Sequence, residues 1–555
     1  MVILSHRTRL RMEEPSPTQG VLVKAAGAHW KEMLLLVLLS CAVLLPSLST
    51  TSLWDPDEGR YAVCARTAIE EGHWIIPYYN GHPRVVKPPL MVWLVAASSL
   101  ALNHGEVTEW TARLPSVVAA VLTVLTTFLL AYLVGLESHM ALLAGIVLLT
   151  THLFCKQGRF AITDMVLLFF LTASFLCFVL AYGIGRATPN RRWYMAMYLF
   201  WGLATMQKGP AVGLVLPLLV ILVFLWSSSE LYRIVEILHP WGIVIYLVLV
   251  LPWPLVVGKD YLKAFLWDNN VKRFASNPDW KSSPFFYLTN LPFQFMPWTP
   301  FVVLLFGAAR KVKLEFDTKT SLLWCWFAVV FVVFSLSDTK RSSYLLPLYP
   351  PLSVLVAWSF QRLKWQRDEL IPYWRTSMVL LGVSLALVCG GVVTLWWSRV
   401  PPGPLGIAMG LFGASLGAPL LLYLLSRENS QKTLIVVAII ALAYSVGYTG
   451  WYQPVYDRHY RSPKHYTEPM KRLVKEKPLF HLGSIRSHDL FYFHKNEMPS
   501  WKPEEGLSAL RGGYLFTRRE KLERLPPKVR SGLEPLIEIP YRGKRMVLLR
   551  ETHGV

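Results

Sequence analysis

Apolar residues fall in long blocks along this chain, separated by shorter polar segments. A bilayer core takes about 20 apolar residues per helix, with a tolerated range of roughly 17 to 25. Thirteen blocks are predicted as spans: 33–50, 113–135, 141–155, 165–183, 193–207, 211–226, 241–257, 292–309, 321–337, 344–360, 376–397, 404–425 and 433–451. The shorter ones are expected to extend into their loops. Segment 89–103 is apolar too, but it is short, opens on Pro88-Pro89 and carries Trp93, so it is placed along the interface. Counting it as a span would invert the topology of everything after it. A cleaved signal peptide competes for residues 1–50, but the segment before the apolar run is too long for an ordinary n-region.

Lysine and arginine set the orientation, because short cytoplasmic loops are enriched in them. One alternate set of loops holds Arg7, Arg9, Arg11, Lys24 and Lys31, then Arg186, Arg191 and Arg192, then Arg310, Lys311 and Lys313. It continues with Arg362, Lys364, Arg367 and Arg375, then Arg427 and Lys432. That side is read as cytoplasmic, which sends segments 51–112, 258–291 and 452–555 to the opposite face. The expected domains are therefore a membrane domain, 1–451, including outer loops 51–112 and 258–291, and an outer C-terminal domain, 452–555. The last segment turns polar and carries strand-like runs at 478–482, 489–493, 513–516, 536–539 and 545–549, which predict a small α/β domain.

Composition agrees with this pattern. The chain is 53% apolar and 16% charged, with net charge +21, whereas soluble domains carry about 25% charged residues. No compact basic domain with interleaved aromatics lies outside the membrane blocks, so nucleic acid is excluded as a partner and anionic lipid or phosphate is favoured. The six cysteines lie mostly in apolar stretches without metal-type spacing and read as small core residues.

Five features gather on the outer side. The first loop opens Trp54-Asp55-Pro56-Asp57-Glu58-Gly59-Arg60-Tyr61, with helical composition to Glu71 and a stop at Gly72. Asp55 as N-cap, Pro56 at the first helical position and Glu58 two residues later predict a capping box, which leaves Asp57 free of structural duty. Lys87 precedes Pro88-Pro89; alone, such a lysine snorkels to headgroups. Thr163-Asp164 sets an acid at a span end, where acids are costly without a role or a partner. Lys208-Gly209-Pro210 forms a tight turn, and Ser337-Asp338-Thr339-Lys340-Arg341-Ser342-Ser343-Tyr344 precedes a span. A solvated membrane face explains basic residues, but not acids placed with them. Cations at Arg60, Lys87, Lys208, Lys340 and Arg341 can hold a lipid-linked phosphate, while Asp57 and Asp164 address a sugar or its acceptor.

At these residues the chain resembles the GT-C glycosyltransferases of the protein O-mannosyltransferase superfamily, most closely the bacterial aminoarabinose transferase branch that modifies lipid A. Asp57-Glu58-Gly59-Arg60-Tyr61 is similar to that family's first-loop acid motif, Lys87-Pro88 to its lysine-proline pair and Thr163-Asp164 to its second-loop acid. Lys208-Gly209 and Tyr344-Leu345-Leu346-Pro347 also fall where that branch has similar pairs. The resemblance implies an all-α polytopic membrane fold of about thirteen helices with a small α/β C-terminal domain. It implies acid roles for Asp57 and Asp164. Donor or substrate contacts are expected from Glu58, Arg60, Tyr61, Lys87, Lys208, Arg273, Lys340, Arg341 and Tyr344. Members of the branch hold zinc through an acid before the lysine-proline pair and a histidine in a later loop, but Val86 and Asn270 stand there. No metal and no cofactor are therefore expected.

The expected activity is inverting transfer of one sugar, such as aminoarabinose or a related hexose, from a polyprenyl-phosphate carrier. The acceptor is lipid A, another glycan or a protein on the periplasmic face of a bacterial inner membrane. Membrane lipids are the surrounding partners and a monomer is expected. A transporter or flippase of lipid-linked sugars is the alternative, but it calls for ionisable residues near the midplane and paired broken helices in two related halves. Neither is found in the sequence.

Overall fold

The computed structural model describes residues 21–258, 283, 285–311, 318–365, 367–397, 430–458, 462–510 and 512–552. Four helices are long and apolar enough to cross a membrane: Glu109–Leu133, Thr163–Tyr182, Pro240–Val257 and Lys432–Tyr456. Two bent pairs, Val21–Ala28 with Trp30–Leu44 (72°) and Phe286–Gln294 with Thr299–Arg310 (114°), raise this to six among the described residues. Shorter apolar helices, including Ser138–Thr150, Ala211–Ser227 and Thr320–Leu336, stand beside them. The chain is thus a multi-pass membrane protein, but the described helices do not establish thirteen spans. Chain breaks explain much of the difference. Thr151 is extended between Ser138–Thr150 and His152–Gln157, and the block expected at 344–360 starts as a 3-10 segment, Ser342–Leu348, that contains Pro347. The expected span 404–425 lies outside the described residues.

Burial ranks the helices. Thr163–Tyr182 is 89% buried and central, whereas Pro240–Val257 is 17% buried and faces outward. Polar residues within the central helices are satisfied locally. Thr123 donates to Ala119 O and Thr172 to Leu168 O one turn back, so their hydroxyls spend no donor on an apolar neighbour. Helix Glu109–Leu133 opens on a capping box between Thr108 and Thr111. Leu90–Leu102 is only 13 residues long, too short to span.

The first loop folds as a helix, Asp57–Glu71, stopped by Gly72 in the left-handed region, as its composition predicts. A two-residue hairpin follows, β1 (Tyr78–Tyr79) against β2 (His82–Pro83). The expected capping box is not formed. Pro56 occupies the N-cap without a side-chain cap bond, and Asp55 instead accepts Ser487 N–H (2.9 Å) and Oγ–H (2.8 Å) from the far end of the chain.

The C-terminal region carries a four-stranded mixed sheet of β3 (Leu479–His481), β4 (Tyr514–Arg518), β5 (Leu533–Tyr541) and β6 (Lys544–Glu551), in the order β3-β4-β6-β5. β3 runs parallel to β4, and the other pairs are antiparallel. The run 489–493, expected as a strand, is part of a short helix, Ser487–Tyr492. Asp489 explains this, because its carboxylate accepts Arg486 N–H and caps the turn. Helix Lys432–Tyr456 also runs past residue 451, so the expected domain boundary falls inside a continuous helix.

This C-terminal region packs on the first-loop helix. Arg66, buried, donates to Lys495 O (2.6 Å), Leu490 O (3.2 Å) and Asn496 Oδ1 (2.7 Å). Gly59 makes the close approach possible, since a Cβ there would lie 2.8 Å from the Ser487 carbonyl carbon. The glycine of the first-loop motif is therefore a packing requirement.

Candidate active site

Helix ends and loops from five parts of the chain converge on one cavity of about 250 Å³. The start of helix Asp57–Glu71 supplies Asp57, Arg60 and Tyr61, and the exit of the β1–β2 hairpin supplies Arg84, Val86 and Lys87. Asp164 comes from the first turn of Thr163–Tyr182, and Lys208 from the last turn of Arg192–Lys208. Gly209, at φ +108°, turns the chain sharply after Lys208. Arg341 and Tyr344 complete the wall.

The charges interlock. Asp57 Oδ2 lies 3.4 Å from Arg341 Nη1, and its Oδ1 lies 3.8 Å from Arg60 Nη1. Asp164 accepts a hydrogen bond from Lys208 Nζ, and that ammonium sits 5.0 Å over the Tyr344 ring. Lys87 Nζ donates to Tyr61 Oη at 3.2 Å. Arg84 lies 5.7 Å over the other side of the story, the Tyr61 ring. Five cations and two carboxylates leave an excess of three positive charges on the described lining, which suits a ligand of net negative charge.

Of the residues expected from sequence, Asp57, Arg60, Tyr61, Lys87, Asp164, Lys208, Arg341 and Tyr344 line this cavity. Glu58 does not. It is fully buried, its carboxylate gripped by Arg113 (2.8 and 2.9 Å), Trp54 N–H (2.7 Å) and Ala161 N–H (2.8 Å). One helical step of about 100° separates it from Asp57, which turns it into the wall behind the cavity. Lys340 is also outside the lining: it is buried and donates to Ser337 O at 2.6 Å. Arg273 lies outside the described residues. Arg84 was not anticipated, although its position three residues before Lys87 in the same loop was the available signal. The buried arginines Arg66 and Arg113 were missed too, because nothing in a sequence distinguishes a cation clamped by carbonyls from one facing solvent.

Burial raises the Cys64 thiol to about 11 despite Arg84 and Arg60 nearby, so it stays protonated and is no nucleophile at neutral pH. Tyr79, beside Arg60, is likewise pushed up to about 12 by burial and remains a neutral phenol. The zinc pattern of the resemblance does not fit. Val86 lines the cavity and offers no donor atom, Asn270 lies outside the described residues, and the described residues contain no group of three or more His, Cys, Asp or Glu suited to a metal.

Comparison with known proteins agrees with this geometry. The family described as dolichyl-phosphate-mannose-protein mannosyltransferase matches residues 30–267. The undecaprenyl phosphate-alpha-4-amino-4-deoxy-L-arabinose arabinosyl transferase of Pectobacterium carotovorum is 32% identical over 373 residues, covering 66% of this chain and 64% of the relative. A Proteus mirabilis transferase of the same description is 30% identical over 332 residues, covering 58% of each chain. The match thus spans less than two thirds of these relatives' own length. In fold, the chain superposes on ArnT from Cupriavidus metallidurans bound to undecaprenyl phosphate with TM-score 0.74 at 21% identity, covering 94% of this chain and 98% of that one. The Archaeoglobus fulgidus oligosaccharyltransferase AglB is more distant, with TM-score 0.52, 13% identity and coverage of 88% and 69%. Sequence and fold together place the chain among the GT-C glycosyltransferases of the protein O-mannosyltransferase superfamily, on the side of its aminoarabinose transferase branch.

Proposed function

We propose that the protein transfers a single sugar from a polyprenyl-phosphate carrier to an acceptor, at the cavity lined by Asp57 and Asp164. The observation that carries this reading is the meeting of two carboxylates and five cations, drawn from distant parts of the chain, at the ends of membrane helices. The relatives named as undecaprenyl-phosphate sugar transferases support the same donor class. The active face looks to the periplasm of a bacterial inner membrane, as the lysine and arginine bias of the other loops implies.

The acceptor attacks the anomeric carbon, the bond from that carbon to the lipid phosphate oxygen breaks, and its electron pair leaves on the phosphate. Arg60, Lys87 and Arg341 stabilise that developing charge, with Arg84 beside them. Asp57 stands nearest the reacting centre. With a hydroxyl acceptor it takes the proton as general base; with an ionised phosphate acceptor it orients the sugar. Asp164 fixes Lys208 toward the leaving group, and Tyr61 and Tyr344 seat Lys87 and Lys208. No step uses a metal. The transporter alternative gains nothing from this arrangement, since the lining charges gather at helix ends.

The test is direct: incubate the purified protein with radiolabelled polyprenyl-phosphate sugars and a membrane extract as acceptor source. Label leaving the carrier for an extractable acceptor supports transfer. Label that crosses the bilayer still attached to its carrier supports transport and overturns it.

A further inference from the structure

Resting on the transferase reading, the charges of the cavity carry the argument one step further, to the sugar itself. A sugar bearing an ammonium needs a carboxylate to replace its lost hydration. The described lining offers two, and both already contact cations: Asp57 with Arg341 and Arg60, Asp164 with Lys208. Arg84 and Lys87 add positive charge on the wall that also carries Val86, an apolar side chain. An incoming ammonium would meet the same positive excess that draws the donor phosphate. A neutral sugar meets no such opposition. Thr339 points the same way, because it lines the cavity, is 8% exposed, and its hydroxyl has no hydrogen-bond partner among the described residues. Buried polar groups are satisfied in working states, and a sugar hydroxyl is suited to this one.

We infer that the donor carries an uncharged sugar, with hydroxyl or acylated nitrogen substituents and no ammonium, in contrast to the 4-amino sugar named for its relatives. Discrimination is electrostatic, set by the excess of cations and by the valine at position 86.

The experiment uses three polyprenyl-phosphate pentoses that differ only at C4: a hydroxyl, an ammonium and an N-formyl amine. Binding to the purified full-length chain and release of labelled sugar to the acceptor source are both measured, at low and at high salt. The hydroxyl and N-formyl donors are expected to bind at least about tenfold tighter than the ammonium donor, a gap of about 1.4 kcal/mol. That gap should narrow at 1 M salt, where the screening length is about 3 Å, and in the Val86→Glu variant, which returns a carboxylate to the wall. Equal or tighter binding of the ammonium donor, with transfer intact, overturns the inference and leaves the transferase reading standing. An N-formyl donor as weak as the ammonium donor overturns it as well, because the selection would then be one of shape. If none of the three binds, the transferase reading fails and this inference falls with it.

Discussion

Asp57 and Glu58 are chain neighbours at the start of one helix, yet they occupy different electrical environments. Glu58 is fully buried and has both carboxylate oxygens saturated by Arg113 and by two backbone N–H groups. Arg113 in turn donates to Leu48 O, Thr51 O and Ser52 O at 2.8 Å, tying the end of the first apolar helix to the second. Asp57 lies on the cavity with its side chain one third exposed, its cations held at 3.4 and 3.8 Å. A charge with every lone pair satisfied is a structural joint. A charge held loosely by mobile side chains keeps capacity for a ligand, and that contrast separates the wall of this site from its working surface.

The largest effect is expected at the joint. Glu58→Ala leaves Arg113 buried without its partner, and breaking such a pair costs about 3 to 5 kcal/mol. Thermal unfolding in detergent should show a lowered transition or a loss of folded protein, and Arg113→Ala should match it. A Glu58→Ala protein of normal stability that has lost only turnover would erase the contrast and return Glu58 to the chemistry.

Asp57→Asn comes next, and it tests the other half. The swap keeps shape and removes charge, so the unfolding transition should stay where it is while turnover falls by about 10² to 10⁴, the contribution typical of a positioned acid or base. Turnover near that of the unaltered protein would sink the assignment. A drop in stability equal to that of Glu58→Ala would show that both acids are joints.

How far this contrast could be read from the chain alone depends on what kind of information each residue needs. The helix to Glu71, its stop at Gly72, four of the five C-terminal strands and the convergence of Asp57, Lys87, Asp164, Lys208 and Arg341 were legible, because they follow from local composition and from sidedness. The capping box at Asp55 was a sound local reading that a distant group overrode: Ser487, far along the chain, supplies the donors that Asp55 accepts. Glu58 was misplaced for the same reason, since its partner Arg113 lies 55 residues away and looked like the ordinary basic flank of a span. Motif adjacency groups the two acids, and only packing divides them.

The cavity cations should give a smaller and more selective effect. Arg60→Ala and Lys87→Ala are each expected to weaken donor binding by about tenfold, in line with about 1.5 to 3 kcal/mol for a hydrogen bond to a charged group, discounted for partial exposure. Arg84→Ala should do the same if it shares the phosphate. Donor titration separates this from the joint, because none of the three changes should lower the unfolding transition as Glu58→Ala does. Variants that all bind donor like the unaltered protein would move the phosphate site elsewhere.

The smallest expected effect concerns pH and the seam beneath the cavity, where the C-terminal region meets the first-loop helix. His488 is buried there, with Nε2 3.5 Å from Asp489 and 3.2 Å from the Tyr466 hydroxyl, and Nδ1 3.9 Å from Asp55. Burial lowers its pKa below the ordinary value of 6.5; Asp489 and Asp55 oppose that shift, while Arg486 and Arg542 reinforce it. His481 and His494, in the same region, are lowered by burial too. A histidine kept neutral by the fold takes up its proton more readily in the unfolded chain. Between 6.5 and the lower folded value the unfolded state therefore binds more protons, so stability falls as pH falls through that window and is fully present above it. The unfolding transition should drop on acidification below about pH 6.5, and His488→Gln should flatten that slope in part, leaving the share due to His481 and His494. A transition that rises on acidification, or a slope that His488→Gln leaves untouched, would mean that the seam does not hold His488 neutral and that the joint behind Asp57 is wetter than its burial implies.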